Sequence, residues 1–197
     1  MRRYAILLVL SLATLILSAK EPPMNTLQGK RVVMIIASHD FRDEEFAEPF
    51  TLLKQAGASV TVASSQRQTA TGMLGKQVVP DLLIADVRMT NYDAVIFVGG
   101  GGAEEYFASP VAHQIAQQTV KEGKLLCAIC VAPVILANAG VLKGKRATCF
   151  PSVAPALRKA GATVVAEGVV QDGQLITADG PQSAAAFARA VAQHLGR

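Results

Sequence analysis

The sequence predicts one doubly wound α/β sandwich with a mostly parallel central sheet. Three observations carry this. Short, continuously apolar runs at residues 32–37, 94–98 and 125–130 have the character of parallel strands buried on both faces. Segments of helical spacing, such as 44–56 and 109–123, alternate with them. The chain has 197 residues, 51% of them apolar, which suits one domain with a real core and excludes disorder.

The first stretch stands apart from that pattern. Arg2 and Arg3 precede an apolar run of about 14 residues, and Ser18-Ala19 leads into Lys20 and Pro22-Pro23. This layout predicts a signal peptide over 1–19, cut after Ala19, then a polar lead-in over 20–30 and the domain over 31–197. The run is shorter than the roughly 20 residues that span a bilayer, so membrane contact is expected only if the segment stays uncut. Export is expected, most simply to a bacterial periplasm. Removing Arg2 and Arg3 lowers the net charge from +4 to about +2. So weak a field, with no Trp and 5% aromatic residues, argues against a nucleic-acid partner.

The domain then reads in order. A strand at 32–37 is followed by a helix at 44–56, with Phe46, Phe50, Leu53 and Ala56 on one side and a stop at Gly57. A second strand is expected at 59–63. Residues 66–75 are polar and glycine-containing, hence a loop or edge hairpin, and 82–87 fits a short strand or a helix. The strand at 94–98 ends in four glycines, Gly99 to Gly102. Ser109 is a good cap and Pro110 suits a first helical position, so a helix runs from there to Gly123. A strand at 125–130 passes directly into a helix at 133–139. Next come a strand at 147–149, a helix at 151–159, and strands at 163–165, 168–170 and 174–177. The turn Gln171-Asp172-Gly173 joins the last two as a hairpin. A helix at 183–195 places Phe187, Val191 and Leu195 in register.

In such folds ligands bind at the carboxyl ends of the strands. Residues 38–43, 99–102 and Cys130 are therefore the candidates. Cys130 sits at a strand-to-helix junction, where a nucleophile points out of the sheet. The amides of the following helix are expected to lower its pKa below about 8.5. Cys127 shares a Cys-x-x-Cys spacing with it, but an offset of three on one strand puts the two on opposite faces, and Cys127 is expected in the core. The glycines after residue 98 can bring backbone amides close to an anion. Four carboxylates, Asp43, Glu44, Glu45 and Glu48, lie where the first helix begins. Most suit the helix dipole there, and one turned toward Cys130 would be a proton partner. The three His and three Cys lack zinc-ligand spacing, so no metal is expected.

Taken together, Phe41-x-Asp43-x-Glu45-x-x-x-Pro49, Gly99-Gly100 and Ala128-Ile129-Cys130-x-x-Pro133 resemble the DJ-1/PfpI (ThiJ/PfpI) superfamily, which is class I glutamine amidotransferase-like. The tail Thr177-Ala178-Asp179-Gly180-Pro181, followed by a Phe-containing helix, extends the likeness, which covers 31–195. The resemblance implies a flavodoxin-like sandwich, a homodimer or larger assembly, and no cofactor. It implies Cys130 as the reactive residue and Glu45 as a protonated partner that donates to the sulfur or its sulfinate. It implies the backbone amides at Gly99, Gly100 and Val131 as an oxyanion pocket.

Two departures bear on the chemistry. Val131 stands where peptidase-like members carry His, which argues against a Cys-His protease. Phe150 stands where glyoxalase- and deglycase-like members carry His. Proton transfer then rests on Glu45, on water, or on His39; His113 and His194 fall in helices, as surface residues. The resemblance implies attack on a reactive carbonyl, of a small molecule or a glycated protein, in stress protection. The alternatives are a non-enzymatic oxidation sensor through Cys130 and a small-molecule hydratase or amidase. Cys149 has two readings: a small core residue, or a thiol that traps oxidised Cys130. The second requires the 147–149 strand to lie beside and parallel to that of Cys130.

Overall fold

The computed structural model describes residues 26–197. The expected signal peptide, and the lead-in up to residue 25, lie outside the described residues. The elements in order are β1 (Arg31–Ile35), β2 (His39–Phe41), α1 (Asp43–Gln55), β3 (Ser59–Ser64), β4 (Ala70–Gly72), β5 (Gln77–Val78) and β6 (Leu82–Leu83). Then follow β7 (Ala94–Phe97), α2 (Pro110–Lys121), β8 (Leu125–Ile129), α3 (Pro133–Asn138), β9 (Arg146–Ala147) and α4 (Ala154–Lys159). The chain closes with β10 (Thr163–Val164), β11 (Val169–Asp172), β12 (Leu175–Ala178) and α5 (Ala184–Leu195).

Seven strands form the central sheet in the order β11-β12-β8-β7-β1-β3-β6. All neighbours pair in parallel except the β11–β12 hairpin, so the doubly wound, mostly parallel sandwich is what the chain adopts. Alternation sorts the side chains into two layers. Val33, Ile35, Val95, Phe97, Leu126 and Ala128 face the layer built with α2, α3 and α4. Val32, Met34, Ala94, Ile96, Leu125, Cys127 and Ile129 face the layer that contains α1 and α5, where Phe46, Leu53, Phe187 and Val191 are buried. Fully burying a side chain such as Phe187 stabilises the fold by about 2 kcal/mol. Leu27 is buried in this second layer, and its amide bonds to the Ala56 carbonyl at 2.8 Å. The last residues of the lead-in therefore belong to the packed body.

The expected hairpin at 66–75 exists as β4 and β5, displaced slightly toward the carboxyl side. It carries a partner that the pattern did not show: β2 pairs with β4 in a small three-stranded side sheet. The ambiguous stretch at 82–87 is both things in turn, a two-residue strand and a single 3₁₀ turn.

One placement overturns an expectation. The short strand that includes Ala147 does not adjoin β8. It pairs with β10 in a separate two-stranded sheet, and β12 occupies the edge of β8. The reason is length and register. Leu175–Ala178 offers four consecutive buried residues that match Leu126–Ile129, whereas the β9 ladder stops at Ala147. Beyond it, the Thr148 amide bonds to the Thr177 hydroxyl at 2.9 Å.

Candidate active site

Three parallel strands, β1, β7 and β8, end at one edge of the sheet, and the chain behaves differently at each end. After β8, Cys130 adopts φ 65°. A non-glycine residue with that backbone carries roughly 1–3 kcal/mol of strain, the signature of an elbow that lifts a side chain out of the sheet. The elbow is held from both flanks. The Cys130 amide donates to the Ala178 carbonyl at 2.9 Å, and its carbonyl accepts from the Phe150 amide at 2.8 Å. Because β8 ends at Ile129, strict alternation stops there. Cys127 and Cys130 therefore both contact the α1/α5 layer, instead of opposite faces. Cys127 is fully buried, as expected of a core residue.

After β7, two consecutive glycines have different duties. The Gly99 amide donates to Glu45 Oε2 at 3.1 Å. It thus holds the carboxyl group and is not free for an oxyanion, unlike the expectation for that position. A Cβ at Gly99 would lie 2.5 Å from Glu45 Oε2 and 2.7 Å from the Cys130 Cβ, so only glycine fits between them. Gly100 has φ 100°, and a side chain there would strike the backbone at Asp40 and Arg42. Its amide and that of Val131 both point at the Cys130 sulfur and favour the thiolate. Two converging amide donors are what an oxyanion pocket would require.

Helix α1 sorts the acidic cluster. Asp43 turns away from the site and accepts from the Leu74 and Lys76 amides, each at 2.8 Å, so it holds the β4–β5 turn. Glu44 pairs with Arg42 at 2.8 Å, and Glu48 is exposed. Glu45 alone points inward, and it is completely buried. Its Oε1 has no hydrogen-bond partner of good geometry, and the Cys130 thiol is the neighbouring group that perturbs it. Burial raises the Glu45 pKa to about 7. Pro49, one turn further on, has no amide to offer the Glu45 carbonyl.

The thiol does not behave as the helix-start argument expects. Burial first, and then the charge of Glu45, push the Cys130 pKa up to about 12. Helix α3 starts only at Pro133 and has six residues, so its dipole adds little against desolvation. A proton on Glu45 favours the thiolate, because a neutral carboxyl removes the repulsion and offers an O–H donor. The two groups share protons as one unit.

The remaining candidates fall elsewhere. His39 stands exposed at the same edge, but its Nδ1 meets the Ser38 hydroxyl at 3.2 Å, and no hydrogen bond joins it to Cys130 or Glu45. His113 lies on α2, with Nε2 on the Phe107 carbonyl, and His194 lies at the other end of the sheet with Gln171 and Gln174. Cys149 is buried in the α2–α4 layer, opposite the layer of Cys130, and all three cysteines are free thiols. Burial pushes the Cys149 pKa up to about 11. Among the described residues no group of His, Cys, Asp or Glu has the arrangement of a metal site.

Two features escaped the sequence reading. Glu105 accepts both the amide and the hydroxyl of Ser38 at 3.1 Å and braces the end of β1. Phe150 bonds directly to the cysteine elbow. Only the run of four glycines hinted at the first, since Gly102 brings the 101–106 turn against the His39 backbone.

The profile of the DJ-1/PfpI family matches residues 30–194, which include Glu45, Gly100 and Cys130. The chain belongs to the DJ-1/PfpI family. Its DJ-1/PfpI domain is 35% identical over 157 residues to a deglycase of Pyrococcus abyssi, covering 80% of this chain and 95% of that one. It is 33% identical over 164 residues to general stress protein 18 of Bacillus subtilis, covering 82% and 95%. Among solved structures, the ThiJ/PfpI domain protein of Brachyspira murdochii superposes with a TM-score of 0.82 at 32% identity, over 85% of this chain and 98% of that one. The flavodoxin-like sandwich implied by the motifs is thus the fold of this DJ-1/PfpI protein.

Proposed function

We propose that this protein is a cysteine-dependent enzyme of reactive-carbonyl defence, acting on an α-oxoaldehyde or its adduct on a protein amine. The observation that carries this reading is the strained Cys130 elbow. A buried carboxyl group lies on one side of it, and the Gly100 and Val131 amides aim at its sulfur. The names of the deglycase relatives support the same reading.

The steps follow from the pair. Glu45 takes the thiol proton, and the thiolate adds to the aldehyde carbon. The oxygen becomes negative, is held by the two amides, and receives the proton back from Glu45. Glu45, again a carboxylate, removes the hydrogen from that carbon and returns it to the neighbouring carbonyl carbon. The hydroxyl proton on the first carbon passes to the oxygen of the second, so the first carbon is oxidised to a thioester and the second is reduced to an alcohol. Water hydrolyses the thioester, releasing a 2-hydroxy acid and the free thiol. No imidazole is required, which fits His39 bonding to Ser38 and not to Cys130 or Glu45.

The test is 2-hydroxy acid formation from methylglyoxal by wild type, Cys130→Ser and Glu45→Gln. The reading expects turnover that falls at least about 100-fold in each variant. Equal rates in wild type and Cys130→Ser would refute it. A second reading, a non-enzymatic oxidation sensor, is favoured by the buried Glu45 Oε1, which would hold a sulfinate on Cys130. Clean peroxide conversion to the sulfinate without carbonyl turnover would select it. Export through residues 1–19 and homodimerisation complete the proposal; amino-terminal sequencing of fractionated cells and ultracentrifugation test them.

A further inference from the structure

We propose that Phe150 is a specificity-determining residue: its ring forms an apolar wall of the Cys130 cleft and selects carbonyl substrates with an apolar or aromatic substituent. The proposal rests on the carbonyl reading above and names the substrate class.

Topology fixes the location. Strand β8 lies between β7 and β12, so Cys130 has two flanks. The β7 flank holds the polar machinery, Glu45 and Gly100. The β12 flank holds Phe150 and Gly180. The Phe150 amide bonds to the Cys130 carbonyl at 2.8 Å, which ties the residue to the elbow itself. Its backbone is extended, at φ −56° and ψ 134°, as a residue before proline prefers, and Pro151 starts the next turn. The ring rests against Gly180: a Cβ there would be 3.6 Å from Phe150 Cδ2. The Thr148–Thr177 bond anchors the same segment from behind.

What remains open is the other side of the ring. Phe150 is 42% exposed, an unusual state for a phenyl group whose backbone is bonded to the Cys130 elbow. On this flank Asp179 is half-buried and accepts from Ser183 at 2.6 Å, and the Thr177 hydroxyl is taken by Thr148. A carbonyl compound held at Cys130, with its oxygen toward Gly100 and Val131, directs its substituent toward the Phe150 ring. Such a surface favours a phenyl or branched alkyl group over a hydrogen, methyl or hydroxylated one.

The experiment compares phenylglyoxal with methylglyoxal in wild type, Phe150→Leu and Phe150→Ala. In parallel, 2-bromoacetophenone and bromoacetone alkylate Cys130, with rates normalised to free cysteine. The proposal expects the wild-type preference for the phenyl compound to drop about tenfold in Phe150→Ala, mainly through KM, and less in Phe150→Leu. Phenylglyoxal turnover should fall more than methylglyoxal turnover in each variant, and the alkylation ratio should fall in step with the turnover ratio. A phenyl preference that survives Phe150→Ala in both assays would overturn the proposal. So would equal use of both compounds by wild type. Alkylation selectivity that depends on Phe150 without turnover of either aldehyde would keep the wall and remove the carbonyl activity. Phe150 is partly exposed, so these substitutions open no core cavity, and thermal melting checks that each variant folds.

Discussion

Glu45 is a fully buried carboxyl group with one amide donor and a neighbouring thiol. The fold holds its pKa at about 7, against an ordinary value of 4.5. Proton binding therefore favours the folded state. That stabilisation is complete below about pH 4.5 and is lost as pH rises through about 7, with an upper bound of about 3 kcal/mol. Wild type should lose thermal stability between about pH 5 and 8, by several degrees relative to Glu45→Gln. Melting curves of the two proteins across that range check this; parallel curves would contradict it. The motif Phe41-x-Asp43-x-Glu45 contains the one carboxylate of the helix start that the structure turns toward Cys130. The thiol pKa runs opposite to the expectation from the helix start, because a helix start says nothing about burial. Whether desolvation or the dipole wins depends on long-range packing around Cys130, which spacing along the chain does not encode.

Helix α1 and the segments that meet it decide which carboxylate does what. Asp43 ties the 73–76 turn to the helix start. Asp43→Ala leaves two amide donors without their acceptor and should destabilise the fold by about 1–3 kcal/mol. Hydrogen exchange should lose protection at Leu74 and Lys76 specifically. Gly99 is the counterpart on the β7 side. Gly99→Ala drives a methyl group into Glu45 and Cys130, so it should cost about 1–3 kcal/mol of stability, and carbonyl turnover should fall about 100-fold. Calorimetry and steady-state rates measure the two effects. Apolar runs and capping signals such as Ser109-Pro110 made most elements legible. The side sheet β2-β4-β5 and the displacement of β9 were not, because two- and three-residue ladders depend on which neighbour reaches an open edge first. The Cys149 trapping idea rested on β9 lying beside β8 and loses that support.

Across the whole molecule, the sheet places its reactive groups at one edge and separates the remaining candidates from them. Cys130, Glu45, Gly100 and Val131 converge where β7 and β8 end, Cys149 packs in the other layer, and His194 lies at the far end. That convergence makes one claim central: a buried thiol and a buried carboxyl group share protons as a single reactive unit. The most direct measurement is the pH dependence of Cys130 alkylation by iodoacetamide in wild type and in Glu45→Gln. The wild-type rate should rise to a break near pH 7 and then level, as the pair loses its first proton, and Glu45→Gln should lack this break. A wild-type profile that climbs without a break toward alkaline pH, or that overlays the Glu45→Gln profile, would contradict it.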